Sequence, residues 1–161
     1  MNRNRSVIRN TMCSLFAVLG SLTAPVAMAA ERVCGLITPG EASAALGVSV
    51  PAGTALAGES GDHLCRYIEP KAGMLAISLA EDHGREKFDK AKAAIQKNPA
   101  WVPENIFGLG DQAVFANRSP RGSQLLVLRG DKSLAIALSG RTANSSKEAL
   151  MELARKALSR L

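Results

Sequence analysis

The chain has 161 residues, 47% of them hydrophobic but only 4% aromatic, and a formal net charge of +6. Aromatics are too few, and acids too evenly interleaved with bases, to build a base-stacking or phosphate-tracking surface, which excludes nucleic acid as an expected partner. The length suits one domain around one core.

In chain order, Arg3, Arg5 and Arg9 form a basic opening without an acid, and Met12–Leu22 is an apolar run too short to cross a bilayer. Pro25 breaks that run, and Ala27-Met28-Ala29 supplies small residues of the kind read by a signal peptidase. The segment 1–29 therefore reads as a secretory leader cut after Ala29, leaving a single domain over 30–161. Its removal takes three arginines and no acid, so +6 falls to +3. Neither Cys13 nor Cys34 follows the small-residue pattern of a lipid-anchoring cysteine, and no later apolar run is long enough to span a membrane. The expectation is an exported protein, in the periplasm or the medium, without a transmembrane segment in the mature chain.

Once Cys13 leaves with the leader, Cys34 and Cys65 remain, and an even count in an exported chain predicts a structural disulfide. Their wide spacing is not that of a C-x-x-C redox pair. In the chain-entropy treatment, closing this loop stabilises the fold by about 3–4 kcal/mol, a large share of the 5–15 kcal/mol typical of a domain. The bridge reads as a staple for an N-terminal segment with few core residues of its own.

Thr38-Pro-Gly-Glu41 has the form of a capping box with proline at the first helical position, predicting a short helix over Gly40–Leu46 that stops at Gly47. Val48–Gly61, rich in small residues, predicts a loose strand and a loop. Leu64–Glu69 and Met74–Ala80 flank Pro70-Lys-Ala-Gly73 and predict a hairpin. Arg85–Gln96 places Phe88, Ala91, Ala94 and Ile95 on one helical face, and Asn98-Pro99 ends it. Residues 101–107 read as a connector, with or without a short extended piece. Gln112–Ala116, Gln124–Arg129 and Ser133–Ser139 predict a three-strand meander, and Ser146–Leu161 a last helix striped with Leu150, Leu153, Ala157 and Leu158. The order helix, hairpin, helix, meander, helix implies an α+β fold: an antiparallel sheet of about five strands with helices packed on one face. Met74-Leu-Ala-Ile-Ser-Leu79 and Ser133-Leu-Ala-Ile-Ala-Leu138 echo each other, each before a helix.

Few residues point to chemistry. Gly108-Leu-Gly-Asp-Gln-Ala113 matches a loose dinucleotide pattern but leads into a strand-like run, so it reads as a tight turn with a glycine at positive φ. The two histidines of the mature chain each follow an aspartate, Asp62-His63 and Asp82-His83, near one end of the predicted hairpin. Two imidazoles and two carboxylates there are a candidate Zn²⁺ or Cu²⁺ site; the plainer alternative makes them polar loop residues, with Asp82 capping the next helix. No nucleophile elbow or other catalytic arrangement is present, so no catalytic residues are assigned. Phe88, Phe107 and Phe115 are expected in the core, and Trp101 beside Pro103 is a candidate partner-binding residue.

Cys34-Gly-Leu-Ile-Thr-Pro-Gly-Glu41 leading to Ala45-Leu-Gly47, then Cys65-Arg-Tyr67, then Gly108–Ala113, resembles small exported bacterial proteins, many of them actinobacterial lipoproteins of unknown function. The resemblance implies an exported α+β domain with its two cysteines joined, and this chain departs from it in lacking the lipid-anchoring cysteine. The leading functional expectation is a non-catalytic envelope or secreted protein that binds a protein partner or a small ligand, at a sheet edge or on a face left uncovered by helices. An accessory component of an envelope assembly is the alternative, and a metal protein or enzyme built on the Asp-His pairs a further one.

Overall fold

The computed structural model describes residues 31–57, 62–118, 122–140 and 146–161. The expected leader lies outside the described residues. Residues 31–34 are helical, followed by α1 (Pro39–Leu46), β1 (Thr54–Ala57), β2 (His63–Glu69), β3 (Gly73–Ala80), α2 (Gly84–Lys97), β4 (Val102–Ile106), β5 (Gln112–Arg118), β6 (Gly122–Arg129), β7 (Lys132–Ser139) and α3 (Ser146–Ser159). The strands form one antiparallel sheet in the order β1-β2-β3-β7-β6-β5-β4. No helix among the described residues is long and apolar enough to cross a membrane.

The α+β class and the antiparallel sheet are as expected, but the sheet has seven strands, not five. The two additions are the edge strands: β1 is the loose strand expected within 48–61, not counted among the five, and β4 falls in the 101–107 connector. Alternation is faint in Thr-Ala-Leu-Ala of β1, and in β4 four of five residues are exposed, with only Ile106 buried. Pro103 within β4 also argues against a central strand, and an edge is where proline is tolerated.

The helices, moreover, pack on both faces. Ile77, Ile136, Leu125 and Phe115 lie in register across the sheet and face one core, together with residues of the 31–46 segment and of α3 such as Val33, Ile37, Leu46, Leu150 and Leu153. The alternate residues Val114, Ala116, Leu126 and Leu128 face the other way and meet Phe88 and Ile95 of α2. Ala113–Ala116 and Leu125–Leu128 are continuous apolar runs, and strands apolar on both sides need cover on both sides.

The echoed segments pair directly, centred on Ile77 opposite Ile136, with Leu75 opposite Leu138 and Leu79 opposite Leu134. A two-fold axis relating two antiparallel neighbours stands perpendicular to the sheet and would send both following helices to one face. Here α2 and α3 take opposite faces, so the likeness stops at the strands.

Local capping follows the chain except at α2. Thr38 and Glu41 form the expected reciprocal box at 3.2 and 2.8 Å. The N-cap of α2 is His83, at φ 55° and without a side-chain cap, and Asp82 does not fill that role. Asp131, in the β6–β7 turn, accepts from the N–H groups of Gly84 (3.0 Å) and Arg85 (3.3 Å) instead.

Candidate functional site

On the face that carries Cys65 and Tyr67, the N-terminal segment is fastened at several points. Cys34 and Cys65 form the expected disulfide, with Cα atoms 5.1 Å apart. The buried Tyr67 hydroxyl reaches the carbonyls of Cys34 (2.9 Å) and Ile37; burial, and then the charge of Glu41, push the phenol pKa upward. Arg160, just beyond α3, grips Glu41 with two N–H donors at 2.7 Å and the Leu36 carbonyl at 2.7 Å. This bidentate pair and the Thr38 cap hold the Glu41 carboxyl down to about 2. The segment is also well packed, with Val33 and Ile37 fully buried. The disulfide therefore reinforces an anchored segment and is not the staple of a loose one.

Among the described residues, the reverse face of the same three strands has no such cover. Alternation places Leu56 on β1, Leu64, Arg66 and Ile68 on β2, and Met74, Ala76 and Ser78 on β3 away from the core residues Cys65, Tyr67, Leu75 and Ile77. Helix α2 packs over β6 and β7 and reaches β4, leaving β1–β3 open on this side. Ile68 is 48% exposed, and Arg66, opposite Thr54 and Ala76, is exposed with no ion pair among the described residues. Along the flank of α2 that looks toward β2 runs a groove of about 480 Å³ lined by Asp62, His83, Glu86, Lys87, Lys90, Ala91 and Ala94. Lys87 pairs with Asp62 across it.

This arrangement separates the four residues of the candidate metal site. Asp62 and His83 line the groove, with the Asp62 carboxylate engaged by Lys87. His63 lies in register with Leu79 and so faces the opposite side of the sheet, where its Nδ1 is buried without a hydrogen-bond partner. Asp82 is exposed ahead of α2. Among the described residues, no group of three or more His, Cys, Asp or Glu side chains is placed to hold a metal ion.

Trp101 is half-buried against the second core, and the Arg118 guanidinium lies 5.9 Å from its ring centroid. The exposed aromatic is instead Phe107, at 90%, against the expectation of a core residue. It opens the β4–β5 turn, in which its neighbour Leu109 takes the buried place. The Gly-rich motif is the tight turn expected, with both Gly108 (φ 74°) and Gly110 (φ 64°) in the left-handed region. Asp111 ties it to the β6–β7 turn by accepting from the Gly130 N–H at 2.7 Å.

Arg66 and Ile68 went unmarked at the level of sequence. Leu64-Cys-Arg-Tyr-Ile68 has apolar residues on both strand faces, and that double apolar character is the signal that one face lacks a solvent role. Comparison with protein-family models, with curated proteins and with solved structures gives no match.

Proposed function

We propose that this is an exported, non-catalytic protein that binds a partner through the open half of its sheet, the face of β1–β3 beside α2. The observation that carries the reading is the half-exposed Ile68 beside the partly buried Leu56, Leu64 and Met74, on strands whose other face packs Cys65, Tyr67, Leu75 and Ile77 into the main core. Contiguous apolar surface on a small domain marks interaction sites, whereas scattered single residues do not. Export is supported by the leader-like composition of 1–29 and by the disulfide, since such bridges persist in oxidising compartments.

The test is photo-crosslinking in the cells that make the protein, with benzoyl-phenylalanine in place of Ile68 and, separately, in place of the exposed Arg155 of α3. A saturable adduct from position 68 and none from 155 is the expected result. Equal labelling from both positions, or none from 68, would overturn the reading.

A further inference from the structure

The open strip has the dimensions and chemistry of a seat for one helix. Its three strands, at about 4.8 Å spacing, make a floor about 14 Å wide, and seven to eight residues of β2 and β3 run about 25 Å. A helix with its side chains is about 10–12 Å across, and about 17 residues span 25 Å. Among the described residues, the other face of the sheet carries two helical covers, the 31–46 segment and α3, while this face carries α2. One more helix lying alongside α2, at the usual 8–10 Å separation, would complete the second layer. The surfaces it would touch are small-residued, with Ala91 and Ala94 on the flank of α2 and Ala76 and Ser78 on the floor, so a helix can approach closely.

Charge defines what that helix must carry. Arg66 stands in the middle of the strip, and covering it with apolar groups alone would bury a guanidinium without a counter-charge, which is strongly unfavourable. Lys90 adds a second cation on the groove wall; Lys87 and Asp62 already match each other, and Glu86 is the remaining acid there. A second copy of this chain related by a two-fold through the strip would bring the two Arg66 side chains together, so self-association on this face is disfavoured. The groove is open along its length and does not enclose a small ligand as ligand pockets do.

Resting on the reading of this face as a docking surface, we infer that its occupant is an amphipathic helix of another protein, about four to five turns long. Its apolar stripe packs on Leu64, Ile68 and Met74, and a carboxylate on its flank pairs with Arg66.

The experiment maps the adduct formed from position 68 by mass spectrometry and repeats the capture with Arg66→Glu and Arg66→Gln. The exposed position keeps both variants folded, which intact disulfide and unchanged melting verify. The expected result is an adduct on a helical segment bearing an acidic flank, with yield lowered about tenfold or more by Arg66→Glu, as for a desolvated charge pair. Replacing the mapped acid of the captured protein by lysine restores the adduct with Arg66→Glu. An adduct on a second copy, on an extended segment or on a lipid, or one indifferent to Arg66→Glu, would overturn the helix inference while leaving the docking surface in place. Absence of any adduct from position 68 removes the docking surface itself.

Discussion

The two faces of β2 present nearly the same raw material and meet opposite fates. Cys65 and Tyr67 point to one side, where a disulfide, a buried hydroxyl and the Glu41–Arg160 pair fasten a helical cover onto them. Leu64, Arg66 and Ile68 point to the other, where no element of the described chain lies across them. Apolar composition thus does not distinguish a face buried in the core from one left open. The difference lies in whether polar groups nearby are matched within the chain. On the covered side the carboxylate and the guanidinium are partnered at 2.7 Å, while on the open side Arg66 is exposed with no ion pair among the described residues.

Substitutions can break that contrast, beginning with the largest effect. Ile136→Ala, at a fully buried position in the register row with Ile77 and Leu125, should cost about 2–5 kcal/mol in denaturant unfolding, from lost burial and the cavity left behind. Replacing Cys34 and Cys65 together by serine should cost about 3–4 kcal/mol by the loop-entropy treatment. A much smaller loss would show that the contacts of Val33, Ile37 and Arg160 hold the N-terminal segment unaided.

Glu41→Gln should cost about 2 kcal/mol at neutral pH, in the range for hydrogen bonds to charged groups. It should also remove an acid-side slope. The folded carboxyl titrates at about 2 and the unfolded one near 4.5, so its stabilisation is complete above 4.5 and is lost as pH falls from there toward 2. Melting of the wild type and Glu41→Gln compared across that window should converge at the acid end; a constant gap would refute the account.

Within the β4–β5 turn, Gly110→Ala should cost more than Gly108→Ala. Both glycines are left-handed, a conformation worth about 1–2 kcal/mol against any other residue. At Gly110 the new Cβ would additionally meet the Leu128 carbonyl and Val127, whereas nothing lies within 4 Å at Gly108. The smallest effect belongs to the open face. Ile68→Ser should change stability by less than about 0.5 kcal/mol, as a surface position does. A core-sized loss would mean that the strip is held by this chain and not kept for a partner.

Much of the fold was legible because it rests on local chemistry. The Thr38–Glu41 box, the α2 and α3 stripes, the β2–β3 hairpin and the last three strands follow from capping groups and short-range periodicity. The edge strands were legible only loosely, β1 as a loose strand within 48–61 and β4 as part of a connector, because an exposed strand such as Val102–Ile106 carries no apolar alternation to read. The candidate site was legible only in pieces. Asp62 and His83 could be seen to approach one end of the hairpin, but strand alternation sends His63 to the opposite face from the groove they line.

From residue order alone come the helices, the central strands, the cysteine pair and the Gly108–Asp111 turn, since each depends on neighbours close in the chain or on a count of two. Only the tertiary structure decided that α2 and α3 take opposite faces, that Asp131 caps α2, and that Arg66 and Ile68 stay open. These features depend on which helix covers which strand. A strand apolar on both sides states a need for cover without saying where the cover comes from. In β5 and β6 the chain supplies it twice; over β1–β3 the described chain supplies it once.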